Sequence, residues 1–320
     1  DMFSIFLHYW NAFDLILITI LKAQALANKQ YISIIRLLQH AEIDVESEIN
    51  VARVKKQLAA EFNFSPTAII EIDNYSYNKN DVFEELDNAH FADRMAFHKA
   101  IWNNKSVLGF LEENRFSFTE FNQEIQGFYN KPELDTFISP YFAISFNVVA
   151  RNYINALQFD DLGYLLSFEG FILGADREEA FRSIRIFLDE NIRLLKNTSK
   201  DNFMMMRPKI LHWITSDWSF FVNNLPDDFY ETKEDLIIPL INLTVSIQRT
   251  NHHDCKAVSF QLNQIEEISS NLRETITNNH NIYTGNTAKT ETSSGFDYSN
   301  FKWIIWVIII GLKIIAMGGC

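Results

Sequence analysis

The chain has 320 residues and a formal net charge of −13, and 47% of its residues are hydrophobic. This composition is ordinary for a globular protein and excludes an intrinsically disordered chain. The acidic excess argues against nucleic acid as a partner, because phosphate binding needs clustered Lys and Arg. It also means that contact with an anionic bilayer would have to be hydrophobic.

Bulky residues are frequent and turn-forming residues are scarce. The chain contains 28 Phe but only 10 Gly and 6 Pro, which favours long helices over a sandwich of short strands. It has two cysteines, Cys255 and Cys320, so no disulfide framework is expected.

The first apolar stretch runs from Met2 to Leu21 and is interrupted by polar residues, among them His8 and Asp14. A narrow polar stripe on an apolar helix is typical of a core helix. A membrane-spanning helix would place Asp14 at its costliest depth. We therefore predict a buried helix, with membrane insertion as the alternative.

The next segments alternate between helix and turn. Helices are predicted over 30–43 and 47–62, followed by one strand-like run, 67–73, without an obvious partner. Asp81 and Glu84 form a capping box that predicts a helix as far as Trp102.

In the second half, start signals recur every twenty to thirty residues. Prolines 140 and 208 are predicted to open helices. The clearest amphipathic pattern is the apolar series Phe181, Ile184, Leu188, Ile192 and Leu195. Asp254 is expected to cap a last helix whose stripe is Val258, Leu262, Ile265, Leu272 and Ile276.

This pattern predicts an all-α body, either an irregular helical bundle or a solenoid-like array of helical hairpins. The body spans residues 1–277, with a sub-boundary expected near 130–138. Residues 278–300 are rich in Asn, Thr, Ser and Gly and predict a flexible polar linker.

The last segment, residues 301–320, predicts a single C-terminal transmembrane helix. As a helix it would be about 30 Å long, one hydrocarbon core. Lys313 is unfavourable in a bilayer unless its stem carries the ammonium to the interface. With only the two glycines 318 and 319 and Cys320 beyond the apolar run, the body is expected to face the cytoplasm. The predicted membrane-anchor residues are Trp303, Ile304, Ile305, Trp306, Val307, Ile308, Ile309, Ile310, Leu312, Ile314 and Ile315.

One sequence cluster has metal-ligand chemistry, namely His252, His253, Asp254 and Cys255. Neighbouring residues at a helix start point in different directions, and Asp254 already serves as the expected cap. We therefore expect no metal and no cofactor here. His90 and Asp93 could share a helix face, whereas His98 would point elsewhere.

The sequence lacks the G-x-S-x-G, P-loop and dinucleotide-binding motifs, which lowers the expectation of an enzyme without excluding one. The favoured hypothesis is a membrane-anchored scaffold or adaptor that binds a partner protein at a bilayer surface. One alternative is a membrane-active, pore-forming or lytic effector that uses 2–21 and 301–320. A second alternative is a helical metalloprotein or enzyme.

Overall fold

The computed structural model describes residues 30–128 and 131–285, and the fold of this part is predominantly helical, as the all-α prediction requires. Within these described residues, a single β-hairpin interrupts the helices. Both apolar segments, 2–21 and 301–320, lie outside the described residues, as do residues 286–300 of the predicted linker. None of the described helices combines the length and the apolar character needed to cross a bilayer.

The regular elements follow one another in this order: α1 (Ile34–His40), α2 (Val51–Phe64), β1 (Ile69–Ile72), β2 (Tyr75–Asn78), α3 (Lys79–Leu86), α4 (Phe91–Trp102), α5 (Lys105–Glu113), α6 (Phe118–Ile125), α7 (Pro132–Ala156), α8 (Phe159–Leu166), α9 (Arg177–Ala180), α10 (Arg182–Lys196), α11 (Phe203–Ile210), α12 (Ser216–Asn223), α13 (Tyr230–Ile247), α14 (His252–Gln264) and α15 (Ser270–Thr284). Short 3₁₀ turns join several of the helices.

The strand-like run does have a partner, contrary to the sequence prediction. Strand β1 pairs antiparallel with β2, and Ile70 lies opposite Tyr77. Asp73 and Asn74 both adopt positive φ, the conformation that a two-residue hairpin turn needs. The residues that directly follow the strand-like run therefore complete the turn and form the second strand.

The helix predicted from Asp81 to Trp102 is two helices. The side chain of Asn78, not that of Asp81, caps the start of α3 by accepting from the Asn80 amide. Helix α3 ends at Leu86, and α4 restarts after the Asn88 side chain accepts from the His90 amide at 2.9 Å. The turn that the Asn88 side chain stabilises therefore separates the two helices, although the sequence predicted one continuous helix.

Both prolines that were predicted to open helices lie inside helices. Helix α7 begins at Pro132 and contains Pro140, and α11 contains Pro208 near its end. The preceding Ser139 is fully buried, donates to Asp176 Oδ2 at 2.5 Å and accepts from the Leu173 amide. Its hydroxyl thus joins two segments instead of capping a helix.

The predicted amphipathic helix is confirmed as α10, and its stripe from Ile184 to Leu195 is buried. The last predicted helix is instead two, α14 and α15, although all five predicted core residues are buried. Glu267 adopts positive φ between them, and the Arg273 guanidinium donates to the Ile265 carbonyl. Helix α15 extends past residue 277 to Thr284, because Tyr283 continues its buried face.

In the part of the chain that the structure describes, buried apolar side chains form two clusters. The first lies within residues 34–95 and includes Leu38, Leu58 and Val82. The second holds Tyr31 and buried residues between 101 and 283. The division between the clusters falls within α4, and Leu134 and Ile138, near the expected sub-boundary at 130–138, both belong to the second cluster.

Candidate functional site

The fold separates the four residues of the candidate metal cluster. Cys255 is fully buried, and burial raises the pKa of its thiol to about 12. Asp254 accepts two hydrogen bonds from Arg207, at 2.8 and 2.9 Å, which lower the pKa of its carboxyl. The side chain of His253 is 94% exposed. Within the described residues, no three His, Cys, Asp or Glu side chains are grouped to hold a metal ion.

Asp254 also does not cap α14 as predicted, since the N-cap residue is Asn251. Its side chain lies in the first turn of the helix, where a carboxylate is favourable beside the helix dipole. The ion pair with Arg207 therefore fastens α14 to α11, and this explains an acidic residue at that position without a metal.

A buried chain of polar side chains, which sequence reasoning missed, lies between α3, α4 and Tyr31. The Tyr31 hydroxyl is 2.8 Å from His98 Nδ1, and His98 Nε2 is 3.1 Å from Glu85 Oε1. Arg94 donates to both oxygens of Glu85 at 2.6 Å. Burial acts against ionisation of Glu85, but the hydrogen bonds from His98 and Arg94 lower its pKa to about 2.

A tyrosine–histidine–carboxylate series has the parts of a proton relay. However, Tyr31 is 2% exposed and His98 is 4% exposed, so no reacting group of a substrate reaches them in this conformation. His90, the N-cap residue of α4, and Asp93, in its first turn, have side chains that are 80% and 77% exposed. The chain of hydrogen bonds is thus a structural connection.

A second buried network joins α1 to α5. Arg36 donates to both carboxylate oxygens of Glu112, at 2.9 and 2.7 Å, and its guanidinium lies 3.8 Å from the centroid of the Tyr75 ring. The Glu112 side chain is only 1% exposed and also accepts from the Ser33 amide at 2.7 Å. This network links the two apolar clusters.

The surface depressions found offer little enclosure. One of about 450 Å³ is lined by His90, Asp93, Arg94, Phe97 and Glu133 among others. Another of about 470 Å³ lies between the segment around Ile49 and α4. Both are open to solvent, whereas small-molecule sites bury most of the ligand surface.

The most distinctive surface feature is a row of three aromatic rings, hereafter the aromatic patch: Phe118 on α6, Tyr164 on α8 and Phe220 on α12. The Tyr164 ring stacks on Phe118 with 4.4 Å between centroids and lies 5.0 Å from the Phe220 ring. Tyr164 is 38% exposed and Phe220 is 36% exposed. No sequence pattern predicts this patch, because its three residues lie on three separate helices.

Gly163 sets the geometry of this patch. A Cβ atom at Gly163 would lie 2.6 Å from Cδ1 and from Cε1 of Phe220. Only glycine lets that ring lie directly against the backbone of α8. Because Tyr164 follows immediately, the same close approach brings the Phe220 ring beside it.

The charged residues of the three helices that carry the patch are all Asp or Glu. Together α6, α8 and α12 contain five carboxylates and no Lys or Arg: Glu120, Glu124, Asp160, Asp161 and Asp217. Burial and the neighbouring Asp160 charge raise the pKa of Asp161. Burial and the charges of Asp161 and Asp160 raise the pKa of Tyr153 to about 12, which places this acidic pair near the phenol.

Comparisons with known proteins provide no relative. No family model matches the sequence, and neither the curated proteins nor the solved structures include a match.

Proposed function

We propose that the chain is a membrane-anchored helical adaptor, whose body binds a partner protein at a bilayer surface and whose residues 301–320 hold it there. The observation that supports the anchor is the composition of that segment: Lys302 and Lys313 are its only charged residues, and it follows the polar residues 278–300. At 1.5 Å per residue it has the length of one hydrocarbon core.

The polar side chains of the body support an interaction role over catalysis. Two groups that could supply chemistry are instead held in internal pairs, His98 with Glu85 and Arg207 with Asp254. Neither pair faces an enclosed cavity. By contrast, the aromatic patch leaves apolar surface in contact with water, which is a feature of binding surfaces.

We further infer that the body is an irregular bundle and not a solenoid. Its helices range from the four residues of α9 to the 25 residues of α7. Stacked repeats would have helices of similar length at a fixed period.

The anchor is tested by fusing residues 286–320 to a soluble reporter and washing the membranes with alkaline carbonate. We expect the fusion to stay with the bilayer and an Ile308→Asp variant to be released, because a central charge costs about 2.5–3.5 kcal/mol of insertion energy. Ile308→Leu is the matched control. A fusion that is released as readily as the reporter alone would refute the anchor.

The membrane-active alternative is separated by dye release from liposomes. An adaptor leaves vesicles sealed at protein concentrations that saturate membrane binding. Rapid dye release that is lost on removal of 301–320 would favour a pore-forming protein instead.

A further inference from the structure

The aromatic patch has both the size and the electrostatic character of a peptide-docking surface. Its two ring-to-ring steps of 4.4 and 5.0 Å together cover no more than about 9.4 Å. An α-helix rises 1.5 Å per residue, so this upper limit corresponds to at most roughly six helical residues. A surface of this length would contact about two turns of a partner helix.

Carboxylates lie one helical turn from the exposed rings. Asp160 and Asp161 precede Tyr164 by four and three residues, and Asp217 precedes Phe220 by three. Residues at these spacings are neighbours on a helix surface. None of these three carboxylates forms an ion pair with a residue in the described part of the chain. Their negative charge therefore remains available to a partner.

We propose that the aromatic patch, bordered by Asp160, Asp161 and Asp217, binds a basic segment of another protein that carries Lys or Arg beside apolar side chains. This names the partner class of the proposed adaptor and rests on that function. Lys and Arg are attracted both to carboxylates and to the faces of aromatic rings. The apolar side chains of the partner would cover the exposed ring surface.

A lipid surface fits the same residues poorly. An anionic headgroup region would be repelled by five carboxylates on three helices without a single Lys or Arg. Zwitterionic lipid, whose quaternary ammonium could meet the rings, is the competing ligand that an experiment has to separate from a basic peptide.

The test is a display selection with random peptides of about twelve residues, twice the helix length that covers the patch, on the full chain in nonionic detergent. We expect the selected peptides to carry a net positive charge and apolar residues. Their affinity should fall about tenfold or more for Tyr164→Ala with Phe220→Ala. Selected peptides that are neutral or acidic would overturn the proposal.

Because the ring variant could lose its fold, a second variant removes charge only: Asp160→Asn, Asp161→Asn and Asp217→Asn. Its matched control carries the same charge change on exposed carboxylates elsewhere, Glu178→Gln, Asp189→Asn and Glu190→Gln. The proposal predicts weaker peptide binding for the first variant only. Equal weakening by both would show attraction to the net charge and would refute a site.

Binding to phosphatidylcholine vesicles tests lipid as the competing ligand. It is measured with a chain that ends at residue 300 and therefore lacks the proposed anchor. Binding of the vesicles that is lost in Tyr164→Ala with Phe220→Ala would overturn the peptide assignment in favour of lipid. These readouts are independent of the anchor, since a failed selection leaves the alkaline carbonate result unchanged and a released reporter fusion leaves peptide binding unchanged.

Discussion

Arg36 and Glu112 form a doubly hydrogen-bonded ion pair across the boundary between the two apolar clusters, with N–O distances of 2.9 and 2.7 Å. The Arg36 side chain is 12% exposed and the Glu112 side chain only 1%. Removing one member of a buried pair leaves the other charge without compensation, which is more costly than losing a surface pair.

Glu112→Gln is therefore expected to lower the free energy of unfolding by about 3–5 kcal/mol, measured by urea denaturation. The control is Asp87→Asn, which breaks the exposed ion pair with Lys55 and should cost at most about 1 kcal/mol. A Glu112→Gln variant no less stable than the control would show that the buried pair does not hold the clusters together.

The hydrogen bonds from His98 and Arg94 to Glu85 predict that the free energy of unfolding decreases in acid. Its pKa of about 2 in the folded state lies below the ordinary value of 4.5. The unfolded chain therefore binds the proton more readily, so the stabilisation is present above pH 4.5 and is lost as the pH falls toward 2.

We expect Glu85→Gln to cost about 2–3 kcal/mol at neutral pH, and the difference from the native chain to shrink through this window. Glu120→Gln, at an exposed position, is the control. The measurement is urea unfolding at a series of pH values. A difference that stays constant down to pH 2 would contradict the assignment.

The burial of His212 predicts a second loss of stability, at a more mildly acidic pH than that of Glu85. Its Nε2 is 3.1 Å from Asn191 Oδ1, and burial lowers its pKa from 6.5 to about 4. Between these values the unfolded chain binds a proton that the folded chain does not, so stability falls as the pH drops from 6.5 to 4.

His212→Gln should remove about 2–3 kcal/mol of this pH-dependent change, and His40→Gln, at an exposed position, is the control. Thermal unfolding between pH 4 and 7 measures the slope. If the two variants share the slope of the native chain, His212 does not titrate in this way.

The pairing of Arg207 with Asp254 predicts that zinc does not stabilise the protein. We expect the melting temperature to be the same with and without Zn²⁺, and the His252→Ala, His253→Ala variant to behave alike. A zinc-dependent rise in melting temperature that this variant abolishes would revive the metal-site hypothesis.

Sequence periodicity identified much of the core but not how its helices are divided. Val258, Ile265 and Ile276 were predicted as one stripe and are all buried, yet they belong to two helices and the bend between them. The helical spacing of apolar residues predicts which residues are buried on either side of a bend, but not that the bend exists. The bend itself depends on the positive φ of Glu267 and on a contact from Arg273, neither of which the pattern encodes.

The candidate binding surface was less accessible to sequence reasoning. Tyr164 and Phe220 are 56 positions apart in the chain, and their contact depends on the close packing that Gly163 permits. The one local signal is a glycine directly before an aromatic residue in the acidic, otherwise apolar helix α8. Buried polar links such as His98 to Glu85 were likewise hidden, because they cross the break between α3 and α4.

The most direct test of the central claim is the fraction of protein retained in membranes after an alkaline carbonate wash, for the full chain and for a chain ending at Asn300. The adaptor proposal predicts that the full chain is retained, that the shortened chain is released, and that the shortened chain keeps the helical circular dichroism signal expected of the body. Retention of the shortened chain, or loss of its folded signal, would contradict it.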